Sequence, residues 1–204
     1  MIKKFLILAS WAFVAVLFSA GNIVHAAEYM TEAQIEEITE NLSDAQYVLP
    51  TSDGGVIMNM DGSDNFPEIQ LASSEYKPMT VPEYKEFLKT FDISRESDLK
   101  PSIAFRGAYV PTEVRTLYAN QSYLSNPFSA SGWRYGELVF VPAWFTGDYL
   151  YWQVFGDSGR VDDRKGNSTP IEPGQTLPVY SKSGTYFRTY NPVNGSKYHV
   201  SNPV

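Results

Sequence analysis

Residues 133–163 read WRYGELVFVPAWFTGDYLYWQVFGDSGRVDD and hold three of the four tryptophans in the chain. Within 147–155 the side chains alternate, with Tyr149, Tyr151 and Gln153 facing one way and Leu150, Trp152 and Val154 the other. A period of two marks a strand with one face buried, so the Leu150 side is expected to be core. Residues 137–141, ELVFV, make a shorter and more continuous apolar run, ended by Pro142, which has no ladder donor. With Gly147-Asp148 at the turn, these two runs are expected to be neighbouring antiparallel strands.

The same rhythm continues on either side. Short β-rich runs occupy 102–110, 114–118, 137–141, 148–155, 176–180, 185–190 and 197–201. Turn clusters such as Asn126-Pro127, Asp157-Ser158-Gly159, Glu172-Pro173-Gly174 and Lys182-Ser183-Gly184 separate them. About seven strands with turns every ~8–12 residues predict a mainly β chain, an antiparallel β-sandwich over 99–204.

A small, acidic α/β extension is expected ahead of it, over 27–98. Residues 30–42 carry a complete helix start: Thr31 to cap, Gln34 to return the hydrogen bond, Met30 to staple onto Ile35. Residues 79–91 repeat that grammar with Thr80, Glu83 and Met79, and both stripes are too short to stand alone in water. Shared capping chemistry accounts for the likeness of the two segments. Between them, 46–60 reads as a hairpin with Asp53-Gly54-Gly55 supplying positive φ at the turn, and 61–65 as plain loop.

Lys3 and Lys4, the apolar run 5–18 and Val24-His25-Ala26 make 1–26 a secretory signal peptide, so a secreted chain of bacterial type is expected. No stable membrane insertion is expected after cleavage, and no sorting motif suggests covalent anchoring. The absence of cysteine excludes disulfides, thiolate metal sites and a cysteine nucleophile. Residues 27–100 hold 16 acidic and 5 basic side chains, whereas 101–204 hold 7 and 9. Without Lys3 and Lys4 the net charge is near −9, which argues against nucleic acid or an anionic membrane as main partner.

Gly156-Asp157-Ser158-Gly159 matches the residues around a serine-protease nucleophile, but the one histidine after the leader, His199, lies downstream of it. A turn is the better reading of the tetrapeptide, and a surface or strand-edge position the better reading of His199. Asp157, Asp162 and Asp163 are candidate Ca²⁺ ligands, weakened by the interleaved Arg160, Arg164 and Lys165. The same aspartates with Glu137 are the candidate carboxylates of a glycan hydrolase. The aromatic load exceeds what one core needs, and Trp133, Tyr135, Trp144, Tyr149, Tyr151, Tyr186 and Tyr190 are the candidate binding residues. The expectation is a non-enzymatic binding protein without cofactor, directed at a cell-surface carbohydrate or protein. A carboxylate-dependent hydrolase and a secreted toxin or inhibitor are the alternatives.

Overall fold

The computed structural model describes residues 29–51, 54–59, 62, 66–91 and 110–204. The leader, the loop 61–65 and the run 102–110 lie outside the described residues, apart from Gly62 and Val110.

The fold is mainly β: two sheets, antiparallel except at one pairing, with a small helical N-terminal region. In chain order the strands are β1 (Tyr47–Thr51), β2 (Gly54–Met58), β3 (Met79–Thr80), β4 (Glu113–Leu117), β5 (Gln121–Ser125), β6 (Trp133–Tyr135), β7 (Leu138–Pro142), β8 (Tyr149–Phe155), β9 (Gly159–Asp163), β10 (Ser168–Ile171), β11 (Leu177–Tyr180), β12 (Thr185–Tyr190) and β13 (Lys197–Asn202). The larger sheet runs β11-β8-β13-β5-β2-β1-β3, and the other β10-β9-β12-β7-β4 with β6 also on β12. The parallel exception is β4 beside β7.

Alternation decides the interior. From β8 Leu150, Trp152 and Val154 point inward, from β13 Tyr198 and Val200, and from the facing sheet Phe140, Val161 and Phe187. Rings interlock across the gap: Phe140 lies edge-on to Trp152 at 5.6 Å and Tyr123 sits 4.8 Å from Phe140. Such offset and edge-to-face contacts add to area burial.

The hairpin β1–β2 has a second apolar side. Val48 and Ile57 face outward under helices α1 (Glu32–Thr39) and α3 (Val81–Thr90), which bring Met30, Ile35, Ile38, Val81, Tyr84 and Leu88. Both helices begin with the expected capping box, Thr31 with Gln34 and Thr80 with Glu83. Lys85 of α3 joins Glu36 of α1 at 3.1 Å. A third helix, α2 (Glu68–Ala72), docks through reciprocal amide bonds: Gln70 Nε2 donates to Gln121 Oε1 at 3.1 Å and Gln121 Nε2 to Gln70 Oε1 at 2.8 Å.

Three expectations are corrected. The runs at β7 and β8 are not neighbours but lie in opposite sheets. Between them Ala143 N–H donates to the Leu117 carbonyl and Asn202 Nδ2 donates to Thr146 Oγ1, so the connection is pinned as a crossing between layers. The boundary drawn at 98/99 is crossed by a sheet and by the core, because β2 pairs with β5 over five residues and Leu49, Val56 and Met58 join the interior. Gly54 and Gly55 are strand residues without positive φ. Their missing Cβ is needed for close packing: one built on Gly54 would strike the β5 backbone, and one on Gly55 would meet Val48 Cγ1 at 2.6 Å.

Candidate functional site

The seven candidate aromatics divide among three separate surfaces. Tyr149 and Tyr151 lie on the outer face of the larger sheet, together with Tyr180 of β11, which the sequence reading missed. Register sets Tyr180 opposite Tyr149 and Pro178 opposite Tyr151, and the Tyr149 and Tyr180 rings meet edge-on at 5.7 Å. Helices α1 and α3 cover the β1–β2 end of this sheet and leave Tyr149 53% exposed. The cover ends near β13, where Lys197 Nζ donates to the Glu37 carbonyl at 2.8 Å. The open part of the face is therefore the outer side of β13, β8 and β11.

A neutral hydrogen-bond chain crosses this open part. Gln153 Nε2 donates to Thr176 Oγ1 at 2.7 Å, which turns its carbonyl oxygen toward His199 Nδ1 at 3.1 Å. Nδ1 therefore carries the proton and Nε2 is left as an acceptor. Burial lowers the His199 pKa to about 4, so the ring is uncharged at neutral pH. Of the surface or strand-edge position expected for His199, the outer-face half agrees with its register opposite Gln153, but the strand is not an edge, since β13 lies between β5 and β8.

The second surface is the outer face of the smaller sheet, where Trp133, Tyr135, Tyr186 and Tyr190 gather. Trp133 and Tyr190 meet edge-on at 5.2 Å, and Tyr135 stacks on Tyr186 at 6.0 Å. Tyr186 is a correction: it is only 7% exposed, because Tyr135 lies against it and its neighbours across β9 fill the space beside it. Burial and the nearby Asp162 charge raise its phenol pKa above the ordinary value. Arg188, also missed, lies 4.8 Å over the Trp133 ring.

Trp144 forms the third surface. It is 88% exposed at the tip of the Ala143–Thr146 connection, edge-on to Phe145 at 5.6 Å.

The carboxylates are dispersed among structural partners. Asp157 accepts from Val193 N–H at 2.6 Å, tying the 156–158 connection to the β12–β13 loop. Asp162 pairs with Arg188 Nε at 2.5 Å and accepts from the Ser168 hydroxyl. Asp163 accepts from the amides of Lys165 and Asn167, each at 2.8 Å. Burial alone raises its pKa, but these bonds and that from the Asn167 side chain hold it below the ordinary value. Glu137 stands 4.0 Å from Arg134. Asp162 and Asp163 belong to β9 of the smaller sheet and His199 to the outer face of the larger one, so the chain order Ser158, Asp162 or Asp163, His199 is not assembled into a catalytic relay. Among the described residues no group of three acidic or histidine side chains is placed to share a metal ion, and no helix is long and apolar enough to cross a membrane.

The class so defined is a mainly β, antiparallel-dominated sandwich with aromatic surfaces on both outer faces and a small helical cover over part of one. No protein-family model matches the chain, and no curated protein does. Among solved structures, the chain is similar to protein NMB1881 from Neisseria meningitidis at 17% identity, over 55% of this chain and 98% of that one. The TM-score of 0.26 is too low for that likeness to bear on fold or function.

Proposed function

We propose that this chain is a secreted, non-enzymatic binding protein that holds a neutral carbohydrate on the open outer face of β13, β8 and β11. The observation that carries this reading is the composition of that face. Exposed rings of Tyr149 and Tyr180, with Tyr151 beside them, flank Gln153, Thr176 and an uncharged His199. Flat rings stack on sugar faces, while amide, hydroxyl and imidazole groups exchange hydrogen bonds with sugar hydroxyls. Lys197, a cation on the rim, is already held by Glu37 and by the Phe155 ring at 5.6 Å, and Lys182, near Tyr180, is paired with Asp148 at 3.1 Å. Sequence signals of export agree with a ligand outside the cell.

The test is retention of the full chain on insoluble neutral polysaccharides, chitin and cellulose among them, and on isolated cell walls. Tyr149→Ala and Tyr151→Ala should each weaken retention by tenfold or more while melting stays near that of the parent. Retention unchanged in both variants, or absent from every neutral polysaccharide, overturns the reading.

A further inference from the structure

The outer face of the smaller sheet carries a different chemistry, built around one buried carboxylate. Asp162, 8% exposed, is shared by Arg188, which contacts it through Nε, and by Ser168, whose hydroxyl donates to it. Ser168 in turn accepts from Arg160 Nε at 2.6 Å and lies 3.4 Å from Arg188 Nη2, while its carbonyl accepts from Arg160 Nη2 at 3.2 Å. One guanidinium, that of Arg188, therefore pairs with Asp162, while Arg160 reaches the carboxylate only through Ser168 and its charge has no acid within ion-pair distance among the described residues. Nη1 of each arginine has no partner among the described residues.

Register places rings beside that charge. Arg188 lies between Arg160 on β9 and Tyr135 on β6, and two residues along β12 Tyr190 stands opposite Trp133. Adjacent strands are ~4.8 Å apart and alternate side chains ~7 Å apart, so cations and rings fall within the span of one or two sugar units. Tyr190 is 58% exposed and Trp133 47%. The acidic front does not oppose an anion here, since α1 and α3 pack on the other sheet.

We propose that this face binds an acidic sugar polymer, the ring carboxylates held by Arg160 and Arg188 and the sugar faces stacked on Trp133 and Tyr190. Arginine suits this role because its planar fork stays charged and pairs with carboxylate through two parallel donors. The site is separate from the Tyr149 face, and either can fail without the other.

The probe is polygalacturonate, offered to the full chain beside its neutral methyl ester and beside linear polyphosphate, an anion without a sugar ring. Binding to polygalacturonate should exceed binding to either control by at least tenfold and fall as salt rises. Tyr190→Ala and Arg160→Gln should each weaken it by tenfold or more, and Tyr149→Ala should leave it unchanged. Tyr190 is exposed, so that variant keeps the test clear of folding. Absence of polygalacturonate binding, equal binding of the ester or of polyphosphate, or indifference to both face variants overturns the proposal.

Discussion

Trp152 and Tyr149 sit three residues apart on one strand and should respond to truncation in opposite ways. Trp152 is fully buried against Phe140 and Tyr198, so Trp152→Ala should cost about 3–5 kcal/mol. Its indole N–H has no partner among the described residues, so Trp152→Phe should cost less, since it removes an unsatisfied donor with the lost volume. Tyr149→Ala, on the open face, should stay within about 1 kcal/mol. Chemical denaturation of the three variants reads all of these. His199 makes a prediction about pH. Its folded pKa of about 4 lies below the ordinary histidine value of 6.5, so between those values the unfolded chain binds the extra proton. Its contribution to stability is complete above pH 6.5, falls as pH is lowered toward 4, and changes no further below that. His199→Gln should flatten the melting profile in this window and leave it elsewhere as in the parent.

At the scale of elements, helix α2 is short and has no side-chain cap, so docking must hold it. The Gln70–Gln121 pair supplies that docking, with Gln121 Oε1 also accepting from the Tyr118 amide at 3.1 Å. Gln70→Leu or Gln121→Leu alone should cost about 1–3 kcal/mol, because the amide left behind is buried without its partner. The double variant should cost less than the sum of the two, and a double-mutant cycle on unfolding free energies measures the difference. The β5 strand that carries Gln121 was not legible in sequence: QSYLS is polar at Gln121, Ser122 and Ser125, yet these are buried by pairing with β2 and β13. Alternation along β8 was legible, since every second residue there is large and apolar and its outward set is polar or tyrosine.

For the whole molecule, the decisive fact is that the front of the chain is part of the sandwich. A fragment beginning near Leu99 bares the edge of β5 along all five residues of its β2 pairing and removes Leu49, Val56 and Met58 from the interior. Such a fragment should be aggregated or molten, without the cooperative melting of the full chain, as far-UV and near-UV circular dichroism would record. Composition changes at that point from helical and acidic to β-rich, which by itself suggests a boundary. Charge and periodicity are local, however, and a strand's partner is chosen by distant complementarity.

By itself the sequence determined the fold class, the inward face of β8, the two capped helix starts and the absence of cysteine chemistry. Each follows from neighbours within a few residues, through backbone periodicity or a side chain meeting its own helix end. Only the tertiary structure decided which strands share a sheet, how the aromatics divide and which carboxylates are already engaged. Tyr149 and Tyr186 look alike in sequence, each in an alternating strand, yet one is open and the other is shut by Tyr135 and its neighbours. Likewise Asp162 reads as a loop acid ion-paired to its sequence neighbours Arg160, Arg164 and Lys165 until strand register brings Arg188 and Ser168 against it from residues 26 and 6 positions away. Exposure and charge pairing are properties of what packs alongside, and no short window of sequence contains the neighbours that set them.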